Sequence, residues 1–410
     1  MNDRHVEAED DLVPSTMKSN RNPFRYGADF VLDDIIDRKD EVVHVERVIR
    51  DGMRLFLAGP RGFGKTSILR ASQTNMSRKG AMVLYVNAET SPDVGKLIGE
   101  IVAGAAAQLH DDAEVGILRA GGFFAHLRPT LSLSADGQEI SVSIGIDLSG
   151  GKYRQMQVLA DTLDSLERLA HTLPESRPVA LIIDEFSALM ARFGVTGEAQ
   201  IRSVAQRHQN VGYIFAGSNV GLMMDMTSKY RRPFYHGGDN LYLRPVPTAD
   251  FTVWLHKQFT ESGFEVSGRE PVLRILSLAE DVPYNVQLLA HNCWDELHRG
   301  SRSKLTVALV ESVLERTIQS LDPSLKQAWN RLTPLQQKTL TAVLHGKGQR
   351  MKPAEIARSI KSPASSVRSA LLALYNRNIL WNDANRGEVR VRLEDPFFAH
   401  WIRMRAMNAK

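Results

Sequence analysis

Residues 59–67 of this 410-residue chain read Gly59-Pro60-Arg61-Gly62-Phe63-Gly64-Lys65-Thr66-Ser67 and directly follow the apolar run 55–58. They match the phosphate-binding pattern G-x-x-x-x-G-K-[ST], in which glycines let successive backbone N–H groups point at phosphate oxygens. In this pattern Lys65 contacts the β- and γ-phosphates, and the Thr66 hydroxyl binds Mg²⁺. We expect all nine residues to line the site. A glycine-rich turn that merely begins a helix is the alternative, but the strand before the pattern and the helix after it favour a nucleotide site.

A second motif supplies carboxylates. The apolar run 179–183 is followed by Asp184 and Glu185, as expected for a buried central strand with acidic residues at its carboxyl end. We expect Asp184 to hold Mg²⁺ together with Thr66, and Glu185 to polarise the attacking water. A buried strand that ends in a solvated Asp-Glu pair is the alternative. The phosphate-binding loop favours the first interpretation, because such a loop needs a strand of this kind to complete its Mg²⁺ site.

Two further segments supply candidates for hydrolysis. The predicted strand 211–216 precedes Ser218 and Asn219, and either side chain can bind the γ-phosphate, position the water or cap the next helix. Arg231 and Arg232 precede a rigid turn at Pro233. An arginine there can stabilise transition-state charge on the nucleotide of a neighbouring subunit, whereas the alternative for both arginines is an ordinary surface position.

The order of predicted elements favours an α/β fold. Strands at 54–58 and 81–87 alternate with helices at 65–78 and 91–109, which predicts a parallel sheet covered by helices on both faces. Residues 131–148 alternate apolar and polar side chains around a glycine-containing turn and predict an inserted β-hairpin, either a structural flap or a contact for a partner or nucleic acid. We divide the chain into a disordered tail at 1–20, an ATPase-like α/β domain at 21–247, a helical lid at 248–320 and a C-terminal domain at 321–410.

The C-terminal domain is strongly basic. Residues 321–410 carry sixteen Lys and Arg against six Asp and Glu, which gives +10 in a chain of net charge +4. Three predicted helices and a hairpin follow one another, which is the order of a winged helix, and such a domain places its third helix in the DNA major groove. Docking of a protein is the alternative. We expect the following residues to face duplex DNA: Ser365, Ser366, Arg368, Ser369, Arg386, Arg390 and Arg392.

Composition limits the remaining classes. No run approaches the ~18 apolar residues of a transmembrane helix, and the N-terminus is polar, so we expect a soluble, cytoplasmic protein with no membrane partner. The single cysteine, Cys293, cannot form an intrachain disulfide or a cysteine metal cluster, so we do not expect redox or zinc chemistry.

Taken together, these residues resemble the AAA+/STAND branch of P-loop ATPases, and most closely the archaeal-type ATPase family with a C-terminal winged helix. The resemblance covers about residues 22–405. Besides the loop it rests on N-P-F at Asn22, D-R-K-D-E at Asp37, L-I-I-D-E-F at Leu181, A-G-S-N at Ala216, R-P-F-Y at Arg232 and D-P-F-F-A-H-W at Asp395.

The resemblance implies ATP as the nucleotide, Mg²⁺ as the cofactor, an adenine pocket around Asp37 and Arg38, and a lid contact at Pro283. The chain departs from the family pattern at Asp281-Val282-Pro283, which lacks the usual glycine, and after Tyr235, where relatives often carry an arginine. Any arginine role then falls to Arg231 or Arg232.

Three functions remain open at the level of sequence. The first is an ATP-dependent switch: ATP binding closes the helical lid and repositions the basic C-terminal domain on DNA or a partner, and slow hydrolysis to ADP resets it. An arginine that acts between subunits would make this switch a homo-oligomer. The second is a DNA-binding regulator or loader, similar to initiators or transposition ATPases, in which ATP is mainly a structural ligand. The third is a signalling scaffold whose winged helix docks protein.

Overall fold

The computed structural model describes residues 21–27, 38–91, 93–109, 113–133, 140–145, 148–300, 303–345, 352–383 and 390–408. The predicted tail 1–20, Asp37 of the expected adenine pocket and Arg386 of the expected DNA face lie outside these residues.

Fifteen helices and eleven strands are described. The helices are α1 Lys39–Arg50, α2 Lys65–Arg78, α3 Val94–Leu109, α4 Ala113–Phe123, α5 Gly151–His171, α6 Phe186–Arg207, α7 Val220–Ser228, α8 Thr248–Glu261, α9 Glu270–Ala279, α10 Pro283–Arg299, α11 Val307–Asn330, α12 Pro334–His345, α13 Pro353–Ser359, α14 Ala364–Asn376 and α15 Pro396–Asn408. The strands are β1 Arg54–Ala58, β2 Met82–Asn87, β3 Pro129–Leu133, β4 Ile140–Ile144, β5 Val179–Asp184, β6 Val211–Gly217, β7 Asp239–Tyr242, β8 Glu265–Val266, β9 Lys304–Leu305, β10 Leu380–Asp383 and β11 Arg390–Leu393.

The core of the N-terminal part is a five-stranded sheet in the order β2-β5-β6-β1-β7, in which all neighbours are parallel. Every residue of β5 and β6 is buried, as their continuous apolar sequences require in the middle of a parallel sheet. The sequence did not predict β7, which is an edge strand that alternates partly buried and exposed residues.

Successive residues of each strand point to opposite faces of the sheet, and each face carries its own apolar cluster. On one face Leu55, Ile182 and Ile214 pack with residues of α1 and α2. On the other face Phe56, Ile183 and Phe215 pack with residues of α3, α5 and α6. The predicted α/β fold with helices on both faces is therefore confirmed.

The inserted segment forms its own sheet. Strands β3 and β4 pair antiparallel, apart from the central sheet, and the turn between them lies outside the described residues. The strand β4 lies against α3, where a Cβ built on Gly99 would be 3.2 Å from the carbonyl oxygen of Val142. Whether this hairpin also contacts a partner stays open.

The helices that follow β7 share one hydrophobic core with the C-terminal segment. Phe251, Val286 and Val313 of the predicted lid belong to the same cluster as Leu340 and Phe397. The helix α11 is continuous across the predicted boundary between residues 320 and 321, with Pro323 inside it. The segment 321–410 then continues with α12, α13, α14, the antiparallel pair β10 and β11, and α15.

No helix among the described residues is both long enough and apolar enough to cross a bilayer. A cytoplasmic location and the lack of a membrane partner stay predictions.

Candidate nucleotide-binding site

The phosphate-binding loop connects the end of β1 to the start of α2. Gly62 and Gly64 have φ angles of 79° and 88°, a region that side chains with a Cβ rarely adopt, so these two glycines permit the loop's shape. The helix α2 begins at Lys65. Glycines with positive φ followed directly by a helix N-terminus are the features of a loop whose backbone N–H groups bind phosphate.

Lys65 is buried inside the loop. Its Nζ donates hydrogen bonds to the carbonyl oxygens of Gly59 at 2.8 Å and Pro60 at 3.2 Å. Burial lowers the pKa of Lys65, and the carboxylates of Glu185, Asp184 and Glu394 oppose that shift. The ammonium group thus lies among carboxylates at the carboxyl end of the sheet.

Asp184 is the centre of a buried polar group. Its Oδ2 accepts hydrogen bonds from the Thr66 hydroxyl at 2.8 Å and the Tyr85 hydroxyl at 2.7 Å, and its Oδ1 accepts one from the Glu185 N–H at 2.8 Å. A hydroxyl oxygen next to a carboxylate is the donor set that Mg²⁺ takes in phosphate sites. Thr66 and Asp184, 118 residues apart in sequence, therefore fit the predicted metal site.

Tyr85 is a site residue that the sequence analysis missed. It lies on β2, which pairs with β5, and its ring stacks under the Arg70 guanidinium at 3.5 Å from the ring centroid. Burial and the adjacent Asp184 carboxylate raise the pKa of Tyr85, so it remains a hydrogen-bond donor to Asp184. A polar ring near the end of an apolar strand was the only signal for it.

Glu185 contacts the end of the neighbouring strand β6. Its backbone has φ of 53°, the left-handed region, and its Oε2 accepts hydrogen bonds from the Ser218 hydroxyl at 2.7 Å and the Ser218 N–H at 3.2 Å. Asn219 has a different environment, because its Oδ1 accepts the N–H of Leu222 and caps α7. Of the two polar candidates, Ser218 faces Glu185 and Asn219 caps a helix.

The two candidate arginines also differ. Arg232 forms a bidentate ion pair with Glu198, a carboxylate that is fully buried. Arg231 is exposed. The loop around them is further held by Arg202, whose guanidinium donates to the carbonyl oxygens of Pro233 and Tyr235.

The structure also describes two residues that the family resemblance implied, Arg38 and Pro283. Arg38 is buried and donates hydrogen bonds to Glu41 at 2.8 Å and to the carbonyl oxygen of Arg244. Pro283 is the first residue of α10, and the N–H of the next residue, Tyr284, donates to the carbonyl oxygen of Gly62 at 3.1 Å. The N-terminus of α10 therefore lies directly on the phosphate-binding loop.

These features define a P-loop NTPase (AAA+-like) fold: a parallel sheet, a glycine-rich loop between β1 and α2, an acidic pair after β5 and a polar residue after β6. No protein-family profile matches the chain, and no curated protein does. Solved structures with the same fold exist.

One of these structures is the Walker-type ATPase PABY2304 of Pyrococcus abyssi, with 18% identity and a TM-score of 0.62 over 93% of this chain and 99% of that one. Another is the Aeropyrum pernix ORC2 protein in ADPNP–ADP complexes, with 14% identity and a TM-score of 0.54 over 96% and 99%. The same ORC2 protein in its ADP form has 13% identity and a TM-score of 0.52 over 94% and 98%. At these identities the likeness concerns the fold.

Proposed function

We propose that this protein is an AAA+/STAND-type molecular switch that binds ATP with Mg²⁺ and hydrolyses it slowly to ADP. The observation that carries the proposal is that five polar side chains lie together at one end of the sheet. Thr66 hydrogen-bonds Asp184, Ser218 hydrogen-bonds Glu185, and both carboxylates act electrostatically on Lys65. Five residue types with defined roles in phosphate chemistry converge there from the phosphate-binding loop and from the ends of two strands, β5 and β6.

Each residue has a chemical task in this proposal. Lys65 exchanges the carbonyl oxygens of Gly59 and Pro60 for oxygens of the β- and γ-phosphates. Thr66 and Asp184 hold Mg²⁺, which neutralises phosphate charge when bound. Glu185 orients the attacking water, and the hydrogen bond from Ser218 fixes the Glu185 carboxylate.

The choice of nucleotide is supported by the structural relatives. The ORC2 structures contain ADPNP and ADP, and the Pyrococcus abyssi protein is a Walker-type ATPase. We propose the same nucleotides for this chain, with Arg38 and Pro283 at the rim of the nucleotide pocket.

The test is calorimetric titration of the full chain with ATP and ADP. We expect Lys65→Ala to abolish binding of both nucleotides, because the β-phosphate contact is common to them. Lys79→Ala is the matched control: Lys79 is an exposed lysine just after α2 that pairs with Glu46. Normal ATP affinity in Lys65→Ala, with an intact fold, would rule out the site.

We also propose that residues 321–410 form a winged-helix domain that contacts duplex DNA. The domain is basic, and Ser365, Arg368 and Ser369 are exposed on α14, the third of its short helices. Two of the predicted wing residues add no support for DNA contact. The Arg390 side chain lies outside the described part of the structure, and Arg392 pairs with Glu280 at 3.5 Å.

DNA binding is tested with the full chain and a duplex at increasing salt. We expect affinity to fall steeply with salt and Arg368→Ala to weaken it, whereas Arg78→Ala on α2 should not. If no duplex binds at low salt, the third function, docking of a partner protein by the same domain, is the better account.

A homo-oligomer is the remaining part of the proposal. Arg231 is the candidate that reaches the nucleotide of a neighbouring copy, because it is exposed while Arg232 is paired with Glu198. The test measures the molecular mass in solution with and without nucleotide. A nucleotide-dependent increase in the wild-type chain that is absent in Arg231→Ala would support this assignment.

A further inference from the structure

A carboxylate from the C-terminal segment lies on the phosphate-binding loop. Glu394, between β11 and α15, is 333 residues away from Arg61 in sequence, yet its Oε1 accepts a hydrogen bond from the Arg61 backbone N–H at 2.8 Å. Arg61 is the third residue of the loop, so the N–H group that Glu394 occupies belongs to the group that would bind phosphate. The Glu394 carboxylate therefore sits where an anionic ligand is expected.

The charges around Glu394 are those expected around a terminal phosphate. Burial raises the pKa of Glu394, and the Arg61 N–H and the positive charges of Arg61 and Lys65 oppose that shift, while Glu185 adds to it. Lys65 is the residue that contacts the γ-phosphate in this loop pattern, and Glu185 is the residue that orients water toward it. Glu394 thus lies at the γ-phosphate end of the site.

Contacts on either side hold the carboxylate in place. The Trp381 ring of β10 packs edge to face on the Phe63 ring of the loop, with centroids 5.7 Å apart. Asp395 accepts a hydrogen bond from the Asn285 side chain of α10 at 3.1 Å. These contacts join the C-terminal segment to the loop and to the N-terminus of α10 at the same point.

We propose that Glu394 is a nucleotide-discriminating residue that takes the place of the γ-phosphate. The carboxylate and the γ-phosphate compete for the same N–H group and the same positive charges, so ATP must displace Glu394 from the loop, whereas ADP leaves it in place. The proposal rests on the proposed function, because it requires that the loop binds nucleotide. Displacement of Glu394 also releases the Trp381 contact, which links the C-terminal segment to the presence of the third phosphate.

The experiment compares ATP and ADP dissociation constants for the wild-type chain, Glu394→Ala, Glu394→Gln and Glu89→Ala. Glu89 is the matched control, because it is an exposed carboxylate that accepts a hydrogen bond from the Arg61 side chain and does not bind the loop N–H. We expect Glu394→Ala to tighten ATP about tenfold, equivalent to about 1.4 kcal/mol, and to change ADP less than about twofold. Glu394→Gln keeps the volume and loses the charge, so its effect should be smaller but also confined to ATP. Glu89→Ala should leave the ratio of the two constants unchanged.

An unchanged ratio in both Glu394 variants would overturn the proposal. Equal tightening of ATP and ADP would also overturn it, because Glu394 would then repel nucleotide in general. If Glu394→Ala does not fold, the Glu394→Gln result decides. If the wild-type chain binds neither nucleotide, the proposed function fails, a result that differs from nucleotide binding with an unchanged ratio.

Discussion

Arg232 illustrates how a residue can match a functional pattern and still have a structural task. Its guanidinium binds Glu198, which is fully buried. Burial raises the pKa of Glu198, while the hydrogen bond and the charge of Arg232 oppose that shift. The sequence suggested equal candidates in Arg231 and Arg232, and the buried partner distinguishes them.

We expect Arg232→Ala to lower the free energy of unfolding by about 3–5 kcal/mol at pH 8, because it leaves a buried carboxylate without its counter-charge. Without Arg232 the folded-state pKa of Glu198 rises further above its unfolded value. Stability is then lost as the pH rises through the folded-state pKa of Glu198. It is partly regained as the pH falls, because the folded state takes up a proton at Glu198 more readily than the unfolded state, so the loss should be smaller at pH 5. Denaturant unfolding at both pH values measures this, with exposed Arg231→Ala as the control. An equal loss at pH 5 and pH 8 would contradict the assignment.

The side chains after β5 and β6 lead to a second prediction. Glu185→Gln should slow ATP hydrolysis about 100-fold or more without weakening ATP binding, because it removes the carboxylate that we propose orients the attacking water. Ser218→Ala should slow hydrolysis about tenfold through loss of the hydrogen bond to Glu185.

Asn219→Ala is the matched comparison for Ser218→Ala. It should cost about 1 kcal/mol of stability as a lost helix cap and leave the hydrolysis rate per folded molecule unchanged. Single-turnover hydrolysis and denaturant unfolding separate the two effects. If Asn219→Ala slowed hydrolysis and Ser218→Ala did not, the catalytic contribution would belong to Asn219 rather than to Ser218.

At the scale of elements, most of the central sheet could be predicted from the sequence. The strands β1, β2, β5 and β6 are largely continuous apolar runs bounded by polar residues. That pattern is typical of a parallel sheet covered by helices on both faces. The strand β7 has the sequence Asp-Asn-Leu-Tyr, and only its pairing with β1 makes it a strand. The helix α11 passes through Pro323, a residue that ordinarily indicates a helix end.

The candidate site was predictable only where residues lie close in sequence or in a known pattern. The loop, the acidic pair and Ser218 follow strand ends, so the parallel topology brings them together. The position of Glu394 could not be predicted, because it depends on the packing of the C-terminal segment against Arg61, which is 333 residues away in sequence. Tyr85 depends in the same way on the pairing of β2 with β5.

The N-P-F motif leads to a prediction about the attachment of the N-terminal segment. Phe24 is fully buried among Trp254 and Phe259 of α8, and its carbonyl oxygen accepts a hydrogen bond from the His291 side chain of α10. Phe24→Ala should destabilise the chain by about 3–5 kcal/mol, as expected for an aromatic side chain removed from a core.

Tyr26→Ala is the control for Phe24→Ala. Tyr26 is 37% exposed and its ring contacts His291 and Tyr284 at the edge of the same helices, so we expect a much smaller loss. Thermal unfolding compares the two variants. Equal stability of Phe24→Ala and the wild type would show that the motif does not anchor the segment.

At the scale of the whole molecule, the hydrophobic cores suggest which parts move together. The helices α8–α10 share one apolar cluster with the C-terminal segment, while the sheet has a cluster on each face. Near the candidate nucleotide site, two hydrogen bonds and one ring contact join the two parts: Glu394 with the Arg61 N–H, the Tyr284 N–H with the Gly62 carbonyl, and the Trp381 ring with the Phe63 ring. We therefore expect the lid and residues 321–410 to move as one body when the phosphate-binding loop changes its ligand.

The central claim, that nucleotide sets the position of the C-terminal segment, is tested most directly by a distance measurement between the two parts. Ser77 on α2 and Asn376 on α14 are exposed and can be replaced by cysteines for spin or fluorescent labels. Cys293, the single native cysteine, is buried and its thiol pKa is raised by burial, so it should not compete for label. We predict a distance change with a non-hydrolysable ATP analogue, little change with ADP, and none in Lys65→Ala. Unchanged distances with bound ATP analogue in the wild-type chain would contradict the account.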